Sequence, residues 1–200
     1  VMDCYSEKTF AKMHQTPLPY WHEYQWAPQP GVSDPDLLVD PAPVIDITDR
    51  LSGDRSTWEA PAGRWKVVRF GMQPTNVKNG PALADGKGLE VDKTNPEHLA
   101  AHFDAFIGKI VERVPAEDRK SWKVVVADSY EVGGQNFTED FLESFEKRYG
   151  YSALPYLPTY TGTVVGSPDQ SDRFLWDMRR FVADRLSYDH IGALREISHK

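Results

Sequence analysis

The sequence predicts an α/β fold, and three observations carry that prediction. From residue 88 onward strand and helix patterns alternate; the run WKVVVAD (122–128) is apolar on both faces, as in a parallel strand covered on both sides; and the helical stretches are bracketed by capping and stop signals. With 200 residues, 40% hydrophobic and 26% charged, the chain can bury a sizeable core. Its formal net charge of −7 and the lack of a Lys/Arg block remove the electrostatic footprint of a nucleic-acid binder, so no nucleic acid is expected as a partner. The single cysteine, Cys4, excludes an intrachain disulfide and spells no cysteine-based zinc site. No run of about 18 apolar residues occurs, so no membrane span is expected. The opening VMDCYSEKTF lacks a signal-peptide pattern, which leaves the compartment unknown. The chain does not begin with Met and stops at REISHK inside a helical pattern, and it reads as a piece of a longer protein.

Three regions follow from the texture. Residues 1–43 form an irregular segment rich in Pro and aromatics, where missing N–H groups and restricted pre-proline residues forbid long helices. Its cluster Tyr20, Trp21, His22, Tyr24 and Trp26 either packs this loop onto the core or offers a platform for stacking a sugar. Residues 44–87 hold VIDIT (44–48), STWEA (56–60) and RWKVVRFGM (64–72), separated by LSGD and PAG turn signals, which predicts a small antiparallel β element. Trp58 and Trp65 read as its own core.

Residues 88–200 read as βα units truncated at the C-terminus. GLEVD (88–92) is a short strand ending in acids; Thr94 and Glu97 spell a capping box, and Pro96 suits a first helical turn. Leu99, Phe103, Phe106, Ile107, Ile110 and Val114 then fall on one helical stripe. After the 122–128 strand, TEDFLESFEKRYG predicts a helix with Thr138 as N-cap and Gly150 as its stop. A Pro-rich turn leads to Ser167-Pro168-Asp169-Gln170, a second capping-box spelling, which opens a long amphipathic helix. The connection rules allow a doubly wound sheet or a (β/α)8 barrel.

In both architectures the chemistry sits at the C-terminal ends of strands. Asp128 and Glu131, in VVVADSYEVGGQNF (124–137), lie at such an edge, as do Glu90 and Asp92. A carboxyl group held near apolar walls such as Val126 and Val132 loses solvation in its charged form, so its pKa rises and it becomes a proton donor near neutral pH. Glycosidases need such an acid together with a second carboxylate. Gly133 and Gly134 keep the loop low enough for a ligand, while Gln135 and Asn136 supply donors and acceptors suited to sugar hydroxyls. The plainer structural reading has Asp128 capping a turn, Glu131 in water and the amides satisfying loop backbone. No phosphate loop, G-x-S-x-G elbow or H-E-x-x-H occurs, and His98 and His102 read as surface or helix-packing residues. Asp92, Asp128 and Glu131 can share a hard cation, although the spacing gives no EF-hand.

Five blocks, in this order, carry a resemblance. They are WEAPAGRWKVVRFGMQPT, GLEVDK, VVVADSYEVGGQNFTEDFLESFEKRYGY, LPYLPTYTGTVVGS and DRFLWDMRR. Together they resemble the catalytic region of glycoside hydrolase family 106, the α-L-rhamnosidases, over roughly residues 44–200. The resemblance implies part of a (β/α)8 barrel, here with a small antiparallel β insertion, and hydrolysis of terminal α-L-rhamnosidic bonds with inversion. It also implies a calcium ion near the sugar, with its ligands unassigned, a rhamnose-containing oligosaccharide, polysaccharide or glycoside as substrate, and a periplasmic or secreted setting. Glu131 matches the catalytic glutamate, as general acid; Asp128, Gln135, Asn136 and Asp92 become candidate substrate contacts. An inverting enzyme needs two carboxyls about 6.5 to 9.5 Å apart. No convincing second carboxyl is found here, Glu90 and Asp92 being no more than candidates, so the base is expected on a later strand beyond Lys200 and these 200 residues are expected to be catalytically incomplete. The competing class is a non-catalytic carbohydrate-binding protein that keeps the aromatic platform at 20–26.

Overall fold

The computed structural model describes residues 38–40, 44–127, 135–161 and 163–199. It is a mixed helix and strand structure in which the strands are short. Two compact units emerge, the first from Val1–Gly71 with Asp140–Arg179, the second from Met72–Glu139 with Arg180–Lys200. The Tyr20–Trp26 cluster, Asp128 and Glu131 lie outside the described residues.

In the first unit, β1 (Leu38–Val39) pairs in parallel with β4 (Val164–Val165), Leu38 opposite Val164. The LSGD turn closes an antiparallel hairpin of β2 (Leu51–Ser52) and β3 (Arg55–Ser56), so the predicted antiparallel element exists but is smaller than expected. VIDIT and RWKVVRFGM form no named strand; 48–50 is a 3-10 turn, and Val67 and Phe70 are exposed. Trp58 and Trp65 do meet, edge to face with centroids 5.0 Å apart.

The helix predicted from TEDFLESFEKRYG is Phe141–Tyr149 (α3), and it ends as expected: Gly150 has φ +77 and its N–H donates to the Glu146 carbonyl at 2.8 Å. Its N-cap is Asp140, not Thr138. Phe141 and Phe145 are buried, and Phe145 meets Tyr151 and Phe174 edge-on. LPYLPTYT is a 3-10 helix rather than a plain turn. Gly166 (φ +75) then turns β4 into the next helix; a Cβ there would collide with the Gln170 side chain. Ser167 caps as predicted, its Oγ accepting from Gln170 N–H at 3.1 Å, and the helix Pro168–Arg185 (α4) follows. Ser171 Oγ accepts from Val165 N–H and donates to the Val165 carbonyl, tying β4 to that helix inside the core.

In the second unit, Pro96–Phe103 forms α1, which passes through a π-helical turn (104–108) into Lys109–Arg113 (α2). The N-cap is Asn95, whose Oδ1 accepts from Glu97 and His98 N–H; Thr94 is used elsewhere. Of the predicted stripe, Leu99 is buried while Phe106 and Ile110 are exposed. The residues after α4 continue through a π-helical stretch (186–192) into Ala193–Ser198 (α5), and α1 packs against both. The expected buried strand at 122–128 is not found in its described part: 122–127 has no strand partner, and Val124 and Val126 are 67% and 79% exposed. An apolar run becomes a buried strand only when other strands and helices cover it, and none among the described residues does so.

Candidate functional site

A groove of about 250 Å³ lies in the second unit, lined by 72–77, 89–92, His98 and residues from Gln135 to Glu139. Its rim is set by a short antiparallel contact. Lys78 bridges Leu89, Asn79 N–H donates to Gly88 carbonyl at 3.1 Å, and Glu90 N–H donates to Val77 carbonyl at 2.9 Å. The Asn79 side chain pins the return of the chain, with its amide N–H donating to the Gly86 carbonyl and its Oδ1 accepting from Gly88 N–H. Asn76 has φ +59, a left-handed turn that Asn tolerates better than most residues.

Asp92 occupies one wall of the groove as a hydrogen-bond hub. Its Oδ1 accepts from Thr94 N–H and Thr94 Oγ1, both at 2.8 Å, and from the Gln135 side-chain amide; its Oδ2 accepts from Thr138 Oγ1 at 2.6 Å. Gln135 also donates to Thr94 Oγ1 at 3.2 Å and accepts from Lys93 N–H at 3.4 Å. Burial pushes the Asp92 pKa up, but the donors from Thr138, Thr94 and Gln135 together outweigh it and hold the carboxyl below its ordinary value. The partners are themselves deeply buried: Thr94 is 2% exposed and Thr138 0%. A buried hydroxyl without a partner is costly, which explains why both point at a carboxylate.

Around this hub sit titratable groups of which sequence reasoning had singled out Glu90 but not Lys93, Arg185, Asp189 or His190. Lys93 Nζ lies 2.5 Å from Glu90 Oε2. Arg185 donates to the Thr94 carbonyl at 2.6 Å and pairs with Asp189 Oδ2 at 2.6 Å. His190 is buried, and desolvation, aided by the Lys93 charge, lowers its pKa. The i,i+4 spacing of Arg185 and Asp189 was a readable signal; the approach of Arg185 to Thr94 was not.

Of the sequence-predicted site residues, Asp92 and Gln135 are brought together, and Asn136 follows half-buried. Asp128 and Glu131, expected to share a cation with Asp92, lie outside the described residues. Among the described residues no three carboxylate, imidazole or thiol groups converge on a metal position, and Asp92 is ringed by N–H and O–H donors rather than by other oxygen ligands. The described residues therefore do not form a calcium cage. No described helix is long and apolar enough to cross a membrane.

A relative from Formosa agariphila named "Putative beta-glucuronidase" is 33% identical over 174 residues, covering 86% of this chain and 15% of that protein. A solved structure of a rhamnosidase from Novosphingobium sp. PP1Y matches with a TM-score of 0.68 at 34% identity, covering 80% of this chain and 16% of the other. The chain thus spans about a sixth of the length of either. The alpha-L-rhamnosidase family model of glycoside hydrolase 106 matches residues 1–200, and the chain belongs to that family.

Proposed function

We propose that the chain is part of a glycoside hydrolase that cleaves terminal α-L-rhamnosidic bonds with inversion, acting on rhamnose-containing oligosaccharides, polysaccharides or glycosides. The observation that carries this reading is the family match over the whole chain, joined by the likeness to a rhamnosidase structure. Both relatives bear the names of glycosidases, which favours an enzyme over a non-catalytic sugar-binding protein. The same resemblance supports the rest of the reading: a (β/α)8 barrel to which these residues contribute some units, a calcium ion near the sugar, and a periplasmic or secreted setting.

Glu131 is the proposed general acid, protonating the leaving oxygen while a second carboxylate activates water on the opposite face of the ring. We place that base on neither Asp92 nor Glu90. Asp92 is held below the ordinary carboxylate range by its donors, which makes it a weak proton acceptor, and Glu90 is paired with Lys93. Asp128, Gln135 and Asn136 remain candidates for contacts to sugar hydroxyls, directly or through neighbouring groups.

The test uses the intact parent enzyme and its Glu131→Gln variant on an α-L-rhamnoside with a poor leaving group and on one with an activated aryl leaving group. A loss of about 10²- to 10⁴-fold on the first and a much smaller loss on the second identifies the general acid, because a good leaving group hardly needs a proton. Equal losses point to a base, metal or binding role instead. The relative named for β-glucuronides gives a specific second reading, so an aryl β-glucuronide belongs in the same assay. Hydrolysis of that substrate alone would replace rhamnose as the sugar. Following the anomer first formed by NMR decides inversion.

A further inference from the structure

We propose that Asp92 is a positioning residue: its carboxylate ties Gln135 and Thr138 to the 92–94 turn that opens α1. This rests on the reading above for its catalytic consequence, and on geometry alone for the tie itself. A carboxylate offers about four lone-pair sites. Asp92 receives four donors from its own chain, Thr94 N–H, Thr94 Oγ1 and the Gln135 amide crowding Oδ1 and Thr138 Oγ1 on Oδ2. Two of those bonds bridge 43 and 46 residues of sequence, and Gln135 adds two more by donating to Thr94 Oγ1 and accepting from Lys93 N–H.

Such a tie has a function because of where it lies. Asp92, Gln135 and Phe137 all line the groove, so the bonds fix one wall against another. Thr138 and Thr94 bring buried hydroxyls whose alternative is an unmet hydrogen bond, so each bond removed from the set carries a cost. Covalent reach adds a second constraint. Glu131 precedes Gln135 by four residues in the sequence, so only a short length of chain joins the proposed acid to the anchored amide. A carboxylate already engaged by four protein donors acts on the reaction through the residues it holds.

Asparagine is the decisive substitution. In Asp92→Asn the amide oxygen still accepts from Thr94, and the amide NH₂ meets Thr138, whose hydroxyl rotates to accept. Asp92→Ala removes every acceptor. The intact parent enzyme and both variants are compared by hydrogen exchange of the 135–138 amides and by turnover on the poor and activated leaving-group substrates. The tie predicts that Asn keeps exchange protection and turnover within about tenfold of wild type, whereas Ala speeds exchange by about 10- to 100-fold. It also predicts that Ala lowers kcat more on the poor leaving group, the signature of a misplaced acid. Thr138→Val, which keeps shape and removes one bond, gives a smaller change of the same kind and serves if the Ala variant does not fold. Equal, severe loss of turnover in Asn and Ala with protection unchanged would overturn the proposal and make Asp92 a base, metal ligand or sugar contact. Unchanged protection in Ala overturns the tie outright. If the wild type hydrolyses neither substrate, the rhamnosidase reading fails while the exchange arms still decide the tie.

Discussion

The two units bury different kinds of side chain. In the first, the fully buried large residues include Phe141, Phe145, Val164, Val165, Phe174 and Met178, arranged as an aromatic and aliphatic core. Tyr156 stacks on Phe174 with centroids 5.4 Å apart, and Tyr160 meets the same ring edge-on. Among the described residues of the second, the buried hydrophobic ones are Leu99 and Phe181, while Lys93, Thr94, Thr138 and His190 are buried polar or charged groups, against Thr159, Thr163 and Ser171 in the first. Apolar contacts are non-directional and tolerate small shifts, whereas hydrogen bonds demand particular angles and partners. Among the described residues the first unit rests more on apolar packing and the second more on oriented hydrogen bonds and charges.

That contrast can be broken in order of expected effect. Phe174→Ala removes the ring on which Phe145, Tyr156 and Tyr160 converge, and it is expected to lower local stability in the first unit by about 3–5 kcal/mol. Hydrogen exchange along α4 in the intact protein measures it; a cost below that of any change at the polar hub would remove the distinction between the units. Next comes Asp92→Ala, which leaves the Thr94, Gln135 and Thr138 donors short of an acceptor, at about 1–3 kcal/mol. The loss should be confined to exchange in the second unit, so a matching loss along α3 would contradict it.

Asn95→Ala withdraws the cap that serves Glu97 and His98 N–H, at about 1 kcal/mol, read as faster exchange in the first turn of α1. If Thr94→Ala frays that turn more than Asn95→Ala does, the cap has been misassigned. The smallest effect is in pH. Asp92 titrates below its unfolded value, so its contribution is complete above about pH 3.9 and is lost as pH falls from there through its folded pKa. His190, lowered by burial and by Lys93, contributes fully above about pH 6.5 and loses that contribution as pH falls toward its folded value. A stability scan of the second unit should therefore show a step that Asp92→Asn removes and another that His190→Gln removes. Stability rising as pH falls below 6.5 would reverse the sign and sink the His190 assignment.

Sequence reasoning worked where the deciding interaction is short in range. Gly150 and Ser167 end and begin helices as their positions announce, because a left-handed stop and an N-cap involve residues only three or four apart. It failed by one residue at α1, where Asn95 took the cap that Thr94 was expected to provide. It failed again at Thr138, which seemed to cap α3 and instead donates to Asp92. Both displaced threonines went to the same carboxylate. Accepting from a helix N–H as a cap and donating to a carboxylate are alternative uses of one threonine hydroxyl, and local pattern alone cannot rank them.

The amino-acid sequence by itself determined the mixed α/β character, the helices with their stops and the likeness to the α-L-rhamnosidases, and it put Asp92 and Gln135 among the candidate sugar contacts. Tertiary structure alone decided that these two meet, that Thr94 and Thr138 complete the set, and that 122–127 lies exposed. Periodicity and caps are written in neighbouring residues. A hydrogen bond across more than forty residues leaves no such mark, because its partners become neighbours only when the chain between them has folded.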